Sequence, residues 1–373
     1  MARLAHAPLK PLALPLLGLL CAMCVGHGQA AAQSSYTLST LKPTATGASM
    51  FPSCINERDE VFGNADYYKR TVFSFSPPGF VKLYDEYASK WAATAAATVS
   101  PTKADTKAGE AQYGPRCGSL HNGTRLVDVA TGKVTNVPAA MNWGPANDAG
   151  TLLLTLGTGD NSLYWTPSKG VQTVTAPGYT LVMASVLNNV GDMAGLVAAS
   201  SSGTSIGASE AALWLGAGQF QRVSPRFGDA PSVVAINDAR QLLLSTTVQV
   251  PIGQDTLRVS KLAVWEQGVL KPLLAPGDAR YAKQGVINNK GTVVASVGQE
   301  PLPGVYAAPD MRAVIWQNGV LSDLTAYVNA RGAPLPAGTV VESVLAMNDK
   351  GSMLAVLRTE NLQRSVVRFT AKP

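Results

Sequence analysis

The chain has 373 residues, 46% of them hydrophobic and only 14% charged, with 35 Gly and 24 Pro. An ordinary soluble domain carries about 25% charge, so this surface must be faced with Ser, Thr, Asn, Gln and Gly. The apolar share excludes disorder over most of the chain. Scarce charged helix formers beside abundant turn formers argue against a helical bundle.

The first segment in chain order reads as an address. Arg3 and Lys10 make a basic start, Pro11 to Val25 is an apolar run of signal-peptide length, and Gly28-Gln29-Ala30-Ala31-Ala32 supplies small residues for cleavage. Residues 1–32 are therefore expected to be a signal peptide cut after Ala32, with Ala30 as second choice. The run is too short and too interrupted by Pro to span a bilayer. Neither Cys21 nor Cys24 follows the small residues that lipid attachment wants.

The mature part, 33–373, is expected in the periplasm or outside the cell, without a membrane span. Loss of Arg3 and Lys10 takes 30 basic residues to 28, against 24 acidic ones, for a net charge of +4. No basic cluster is denser than Lys69-Arg70, so the stripe that nucleic acid requires is missing. Cys54, Cys117 and His121 are the Cys and His residues left after cleavage. An even Cys pair in an exported chain reads as a disulfide. It would close a loop of about 60 residues and contribute roughly 4 kcal/mol. Two Cys and one His lack the paired spacing of a zinc site, and no motif calls for a cofactor.

A repeat runs through the mature chain. Asn147, Asn188, Asn237, Asn288 and Asn348 each follow a short apolar run and open an Asn-Asp or Asn-Asn turn. They lie 41, 49, 51 and 60 residues apart. Downstream of the first four, Trp165, Trp214, Trp265 and Trp316 end another apolar run, followed by a turn and a last short strand. In the last unit Val366-Val367-Arg368-Phe369 takes the Trp place. An earlier copy runs from Cys54-Ile55-Asn56 to Leu83, and a degenerate one contains Cys117 to Asp128. Between them, 88–112 reads as an irregular insertion.

Asn and Gly tolerate the backbone of a tight hairpin, so each unit predicts four short antiparallel strands. That is the size of one β-propeller blade. The fold class is all-β, a propeller of about six or seven four-stranded blades. Tyr36 to Leu41 alternates like a strand and would supply the strand that the last blade lacks, removing its open edge. An open β-solenoid of the same repeats is the alternative.

The units at 235–238, 286–291 and 323–328 resemble the bacterial extracellular HAF repeats. In those, an A-I-N-D-x-G-x-V-V-G stretch precedes a His-Ala-Phe-x-Trp segment and a D-L turn-and-strand. The resemblance covers about 50–370 and is strongest from 182 to 358, although Ala-Val-Ile-Trp and similar runs replace His-Ala-Phe. It implies an exported propeller-like fold and carries over no catalytic residue.

Chemistry has few candidates. Asn-Asp turns lack the oxygen-ligand spacing of a calcium loop, so their Asp is read as a cap of its own turn. One fixed Trp per unit predicts core packing. Trp91 and Trp143 stand outside the frame and are the candidates for ligand stacking. His121, read as lying in a surface turn near Tyr113 and Arg116, is the candidate catalytic base of a trio suited to proton abstraction beside a carboxylate. Three functions follow: a binding or interaction scaffold for a protein or glycan ligand, a propeller lyase or hydrolase acting on polysaccharide, or a structural surface or matrix component.

Overall fold

Apolar runs of four to eight residues between turns build short antiparallel strands. In the computed structural model these form seven four-stranded sheets among the described residues. The structure describes residues 35–41, 50–65, 71–76, 79–84, 112–114, 116–121, 125–128, 131, 133–137, 142–155, 161–199, 209–216, 218–228, 231–252, 255–275, 277–299 and 310–372. All of them belong to the compact unit Ser34–Pro373. The expected signal peptide, most of the 88–112 insertion and Trp91 lie outside the described residues.

Sheets I (50–84), II (112–136), III (142–173), IV (181–222), V (232–272) and VI (280–323) are each four consecutive strands in chain order. Sheet VII joins Val340–Met347, Met353–Arg358 and Arg364–Lys372 to the N-terminal strand Ser35–Thr40. The N-terminal strand pairs antiparallel with Arg364–Lys372, from Ser35 opposite Lys372 to Thr40 opposite Val367. Gln112 and Tyr113 already form the first strand of II, so the irregular insertion ends before Gln112.

The sheets touch in cyclic order. First strands of I and II, II and III, and so on to VI and VII lie against one another, and Val340–Met347 of VII contacts Met50–Ile55 of I. Both faces of a middle sheet are therefore buried, which explains apolar runs where strict alternation would mark a half-exposed strand. Leu242, Leu243 and Leu244 show the consequence. Leu242 and Leu244 pack with Leu213 of IV, and Leu243 packs with Val293 and Val314 of VI.

The four repeat Trp residues sit on third strands and are buried, as core packing predicts. Two of them also tie neighbouring sheets. Trp214 Nε1 donates to the Thr175 carbonyl at 2.9 Å and Trp265 Nε1 to the Ser224 carbonyl at 2.8 Å. One segment departs from the resemblance: Leu324–Asn329 is a helix, α1, where a strand would follow Asp323. Asp323 caps it by accepting from the Ala326 N–H at 2.9 Å, and Leu324 and Val328, one turn apart, are fully buried. Among the described residues no helix is long and apolar enough to cross a membrane.

Candidate functional site

The Asn turns all lie at the same end of their sheets, between first and second strands, and there they build an axial cluster. Each turn is locally self-sufficient. Asn237 Oδ1 accepts from the Gln241 N–H at 2.8 Å, and the Arg240 N–H closes onto the Asn237 carbonyl at 3.0 Å. The fourth residue takes a left-handed backbone, as Gly291 does at φ +73°. In V that residue is Arg240, at φ +64°. Its Nε donates to the buried carboxylate of Asp192 in IV at 2.9 Å, which offsets the conformational cost.

The other half of each Asn side chain reaches the next sheet. Asn147, Asn188, Asn237, Asn288 and Asn348 donate from Nδ2 to the carbonyls of Asn188, Asn237, Asn288, Asn348 and Asn56, at 2.8–3.2 Å. The residue after each Asn repeats the step in the same direction, now with a backbone donor and a side-chain acceptor. The N–H groups of Asp148, Asn189, Asp238, Asn289 and Asp349 donate to the side-chain oxygens of Asn189, Asp238, Asn289, Asp349 and Glu57, at 2.7–3.0 Å. These Asp residues thus cap a neighbour's turn and not their own, a correction to the sequence reading. Burial raises the Asp148 carboxyl above its ordinary value, although the Gly118 N–H and Asn189 work against it.

Arg116 lies across this cluster. Its Nη2 meets Asp238 Oδ2 of V at 2.6 Å and Asp349 Oδ2 of VII at 2.7 Å. The space left among Arg116, Glu57, Asp238 and Asp349 is about 60 Å³, room for a water or two and far below the roughly 300 Å³ at which ligand pockets begin.

The proposed catalytic trio is placed as follows. His121 is not in a surface turn: it ends the strand Ser119–His121, opposite Gln112 and Leu126, and is only 2% exposed. Burial lowers its pKa to about 4, against a backbone hydrogen bond with Gly144 that works the other way, so the imidazole is neutral at pH 7. Tyr113 pairs with Leu120 in the same sheet, and its side chain lies outside the described residues. Arg116 is committed to Asp238 and Asp349. Trp143 pairs with Leu154, its side chain also outside the described residues. Cys54 and Cys117 form the expected disulfide, Cα atoms 5.8 Å apart, and it joins sheets I and II. Among the described residues no group of three or more His, Cys, Asp or Glu is placed to hold a metal ion.

A roomier cleft of about 370 Å³ opens on sheet VI, between Arg280, Asp310, Arg312 and Asp323, with Val297 and Val314 in its lining. Its charges are internally paired. Arg280 binds Asp278 at 2.6 Å, and its hydrogen bonds hold that carboxyl below the usual carboxylate range. Asp310 meets Arg312 at 3.5 Å and also Arg358 of VII. Arg358 in turn meets Glu342, which Arg364 grips with two bonds of 2.6 and 2.8 Å. No spacing in the sequence marks this cleft, because its residues come from all four strands of the sheet and a loop.

No protein-family model matches the chain, and no curated protein matches it. Among solved structures, the catalytically inactive virginiamycin B lyase from Staphylococcus aureus with quinupristin is 9% identical over 90% of this chain and 99% of that chain, with a TM-score of 0.45. A streptogramin B lyase is 9% identical over 91% and 98%, at 0.46. A Mycobacterium tuberculosis puromycin-hydrolyzing peptidase is 11% identical over 88% of this chain and 53% of its own, at 0.48. Likenesses at this level carry no activity to the present chain.

Proposed function

We propose that the protein is an exported seven-bladed β-propeller of the HAF-repeat kind that serves as a binding scaffold for a protein or glycan ligand. The observation that carries the propeller is the unbroken cycle of sheet contacts, with the N-terminal strand completing the last sheet. The signal-like leader and the disulfide support export. Binding is favoured over catalysis because His121 is buried and neutral while Arg116 is spent on two carboxylates across the axis.

The ligand seat is the cleft on sheet VI, whose volume reaches the range of small-molecule and glycan sites. Paired Arg and Asp groups around apolar residues offer both donors and acceptors with no net charge, which suits a neutral polyhydroxylated surface. The test is a screen of the mature protein against glycans, secreted polymers and extracellular proteins, for binding and for turnover. Binding without turnover is the expected result, with Arg312→Ala weakening it about tenfold, or 1.4 kcal/mol. Turnover that disappears in His121→Ala would make the protein a lyase or hydrolase, and self-association without any ligand would make it a matrix component.

A further inference from the structure

Both side-chain relays around the axis lapse at sheet II, which neither receives them from sheet I nor passes them to sheet III with the same groups, and the lapse is written in the residue types. Asn56 does not pass its amide on. Its Nδ2 turns back to Glu60 Oε2 of its own turn at 2.7 Å. In II the Asn position is Gly114, whose N–H pairs with Ser119 in the same place that Asn147 pairs with Thr151. The following position is Pro115, which has no side-chain oxygen to accept from Glu57. Sheet II is nonetheless well tied on its other side. Ser119 Oγ donates to the Asn147 carbonyl at 2.8 Å and the Gly118 N–H to Asp148 Oδ1 at 2.7 Å. The step from I to II instead carries the Cys54–Cys117 disulfide, and Cys117 is the residue next to Arg116.

We infer that the Cys54–Cys117 disulfide is the lock of the axial closure: by fixing the turn that carries Arg116 to sheet I it seats Arg116 between Asp238 and Asp349, so the axial mouth closes only in the oxidised chain. With free thiols that turn is held from one side alone. The Arg116 guanidinium loses the fixed base that two ion pairs of 2.6 and 2.7 Å require, and Asp238 and Asp349 are left without their cation. The lock is independent of what ligand the protein takes. Its chemistry is thiol–disulfide exchange with a disulfide-donating protein oxidant. One thiolate of the pair attacks the donor disulfide and expels a donor thiolate. The second thiolate then attacks the mixed disulfide, closing Cys54–Cys117 and leaving the donor as a dithiol, two electrons richer.

A double-mutant cycle tests the lock. Thermal midpoints are measured for the oxidised wild type, Arg116→Ala, the Cys54→Ala/Cys117→Ala pair and the triple variant. Arg116→Ala should lower Tm by about 3 °C with the disulfide present and by less than about 1 °C without it. Equal losses in the two backgrounds would overturn the inference, since Arg116 would then be seated without the bond. Should the cysteine-free chain not fold, the folded wild type is treated with dithiothreitol and followed by amide hydrogen exchange. Exchange should rise at least tenfold in 112–121 and, with it, in the turns holding Asp238 and Asp349. A rise confined to 112–121 would overturn the lock.

Discussion

At His121 the imidazole has exchanged water for the seam between sheets II and III, and its pKa falls to about 4. The unfolded chain titrates near 6.5. Between those values the unfolded state binds a proton that the folded state refuses, so stability falls as pH drops through the window. From pH 7 to pH 5 that difference costs about 2 kcal/mol. Glu342 also loses stability in acid, because the Arg364 hydrogen bonds hold its carboxyl below the usual range. Its loss begins only near the unfolded carboxylate value, about 4.3, and the raised Asp148 carboxyl works in the opposite sense; both groups remain in a His121 variant, so the difference from the wild type belongs to the histidine. Urea denaturation of His121→Asn should therefore give a curve flatter by about 2 kcal/mol between pH 7 and 5 than the wild type. Parallel curves would mean that the imidazole is not neutral because of burial. A catalytic histidine and a buried one share the same letter in the sequence. Asn122-Gly123 marks a turn in the neighbouring residues, and this is why His121 itself reads as surface when it closes the strand before it.

Among the repeated elements, the Asn turn does two jobs with one side chain. Its carbonyl oxygen closes its own hairpin and its amide holds the next sheet, as Asn237 does toward Gln241 and Asn288. Removing it takes the acceptor from the Gln241 N–H and one of two donors from the Asn288 carbonyl, which keeps the Gly291 N–H, a loss of about 2 kcal/mol. We expect Asn237→Ala to lower the denaturation midpoint accordingly, and Asn237→Asp to do no better, since it keeps the acceptor but loses the donor and brings charge into a 4% exposed site. A loss under about 0.5 kcal/mol in Asn237→Ala would show that water replaces the relay. Hairpin, frame and Trp core were all legible, because each depends on residues near one another in sequence. The partners of Asp148, Asp238 and Asp349 were not, since each of those bonds bridges at least 30 residues and has no local signature. Helix α1 is a different kind of miss. Asp323 and the Leu324/Val328 spacing did carry a capped helical turn, but a six-residue element between strands is easily absorbed into the strand pattern around it.

Across the whole molecule, a cycle of similar sheets must be held at the steps where the chain's own regularity fails. There are two such steps, and they use different devices. Between I and II the relay residues are Gly114 and Pro115, and a covalent bond stands in for them. The cysteine pair was readable, but the gap it fills becomes visible only when the turns are set in register. In VII the missing strand comes from the other end of the chain, and the alternation of Tyr36 to Leu41 announced it. Tyr36 anchors that strand: it is 5% exposed, its ring meets Phe369 edge-on at 6.5 Å, and its N–H donates to the Arg331 carbonyl at 2.7 Å. Truncating so large a buried ring costs about 3–5 kcal/mol. Deleting residues 35–41 goes further, because it also exposes the unpaired edge of Arg364–Lys372, a template for pairing with another molecule. The truncated protein should therefore elute from a sizing column as oligomers that grow with concentration, and a synthetic peptide of residues 35–41 should return it to monomer. A truncated chain that stays monomeric with an unchanged melting temperature would show that sheet VII does not need its borrowed strand, and the closure of the cycle would then have to rest on the contacts of first strands alone.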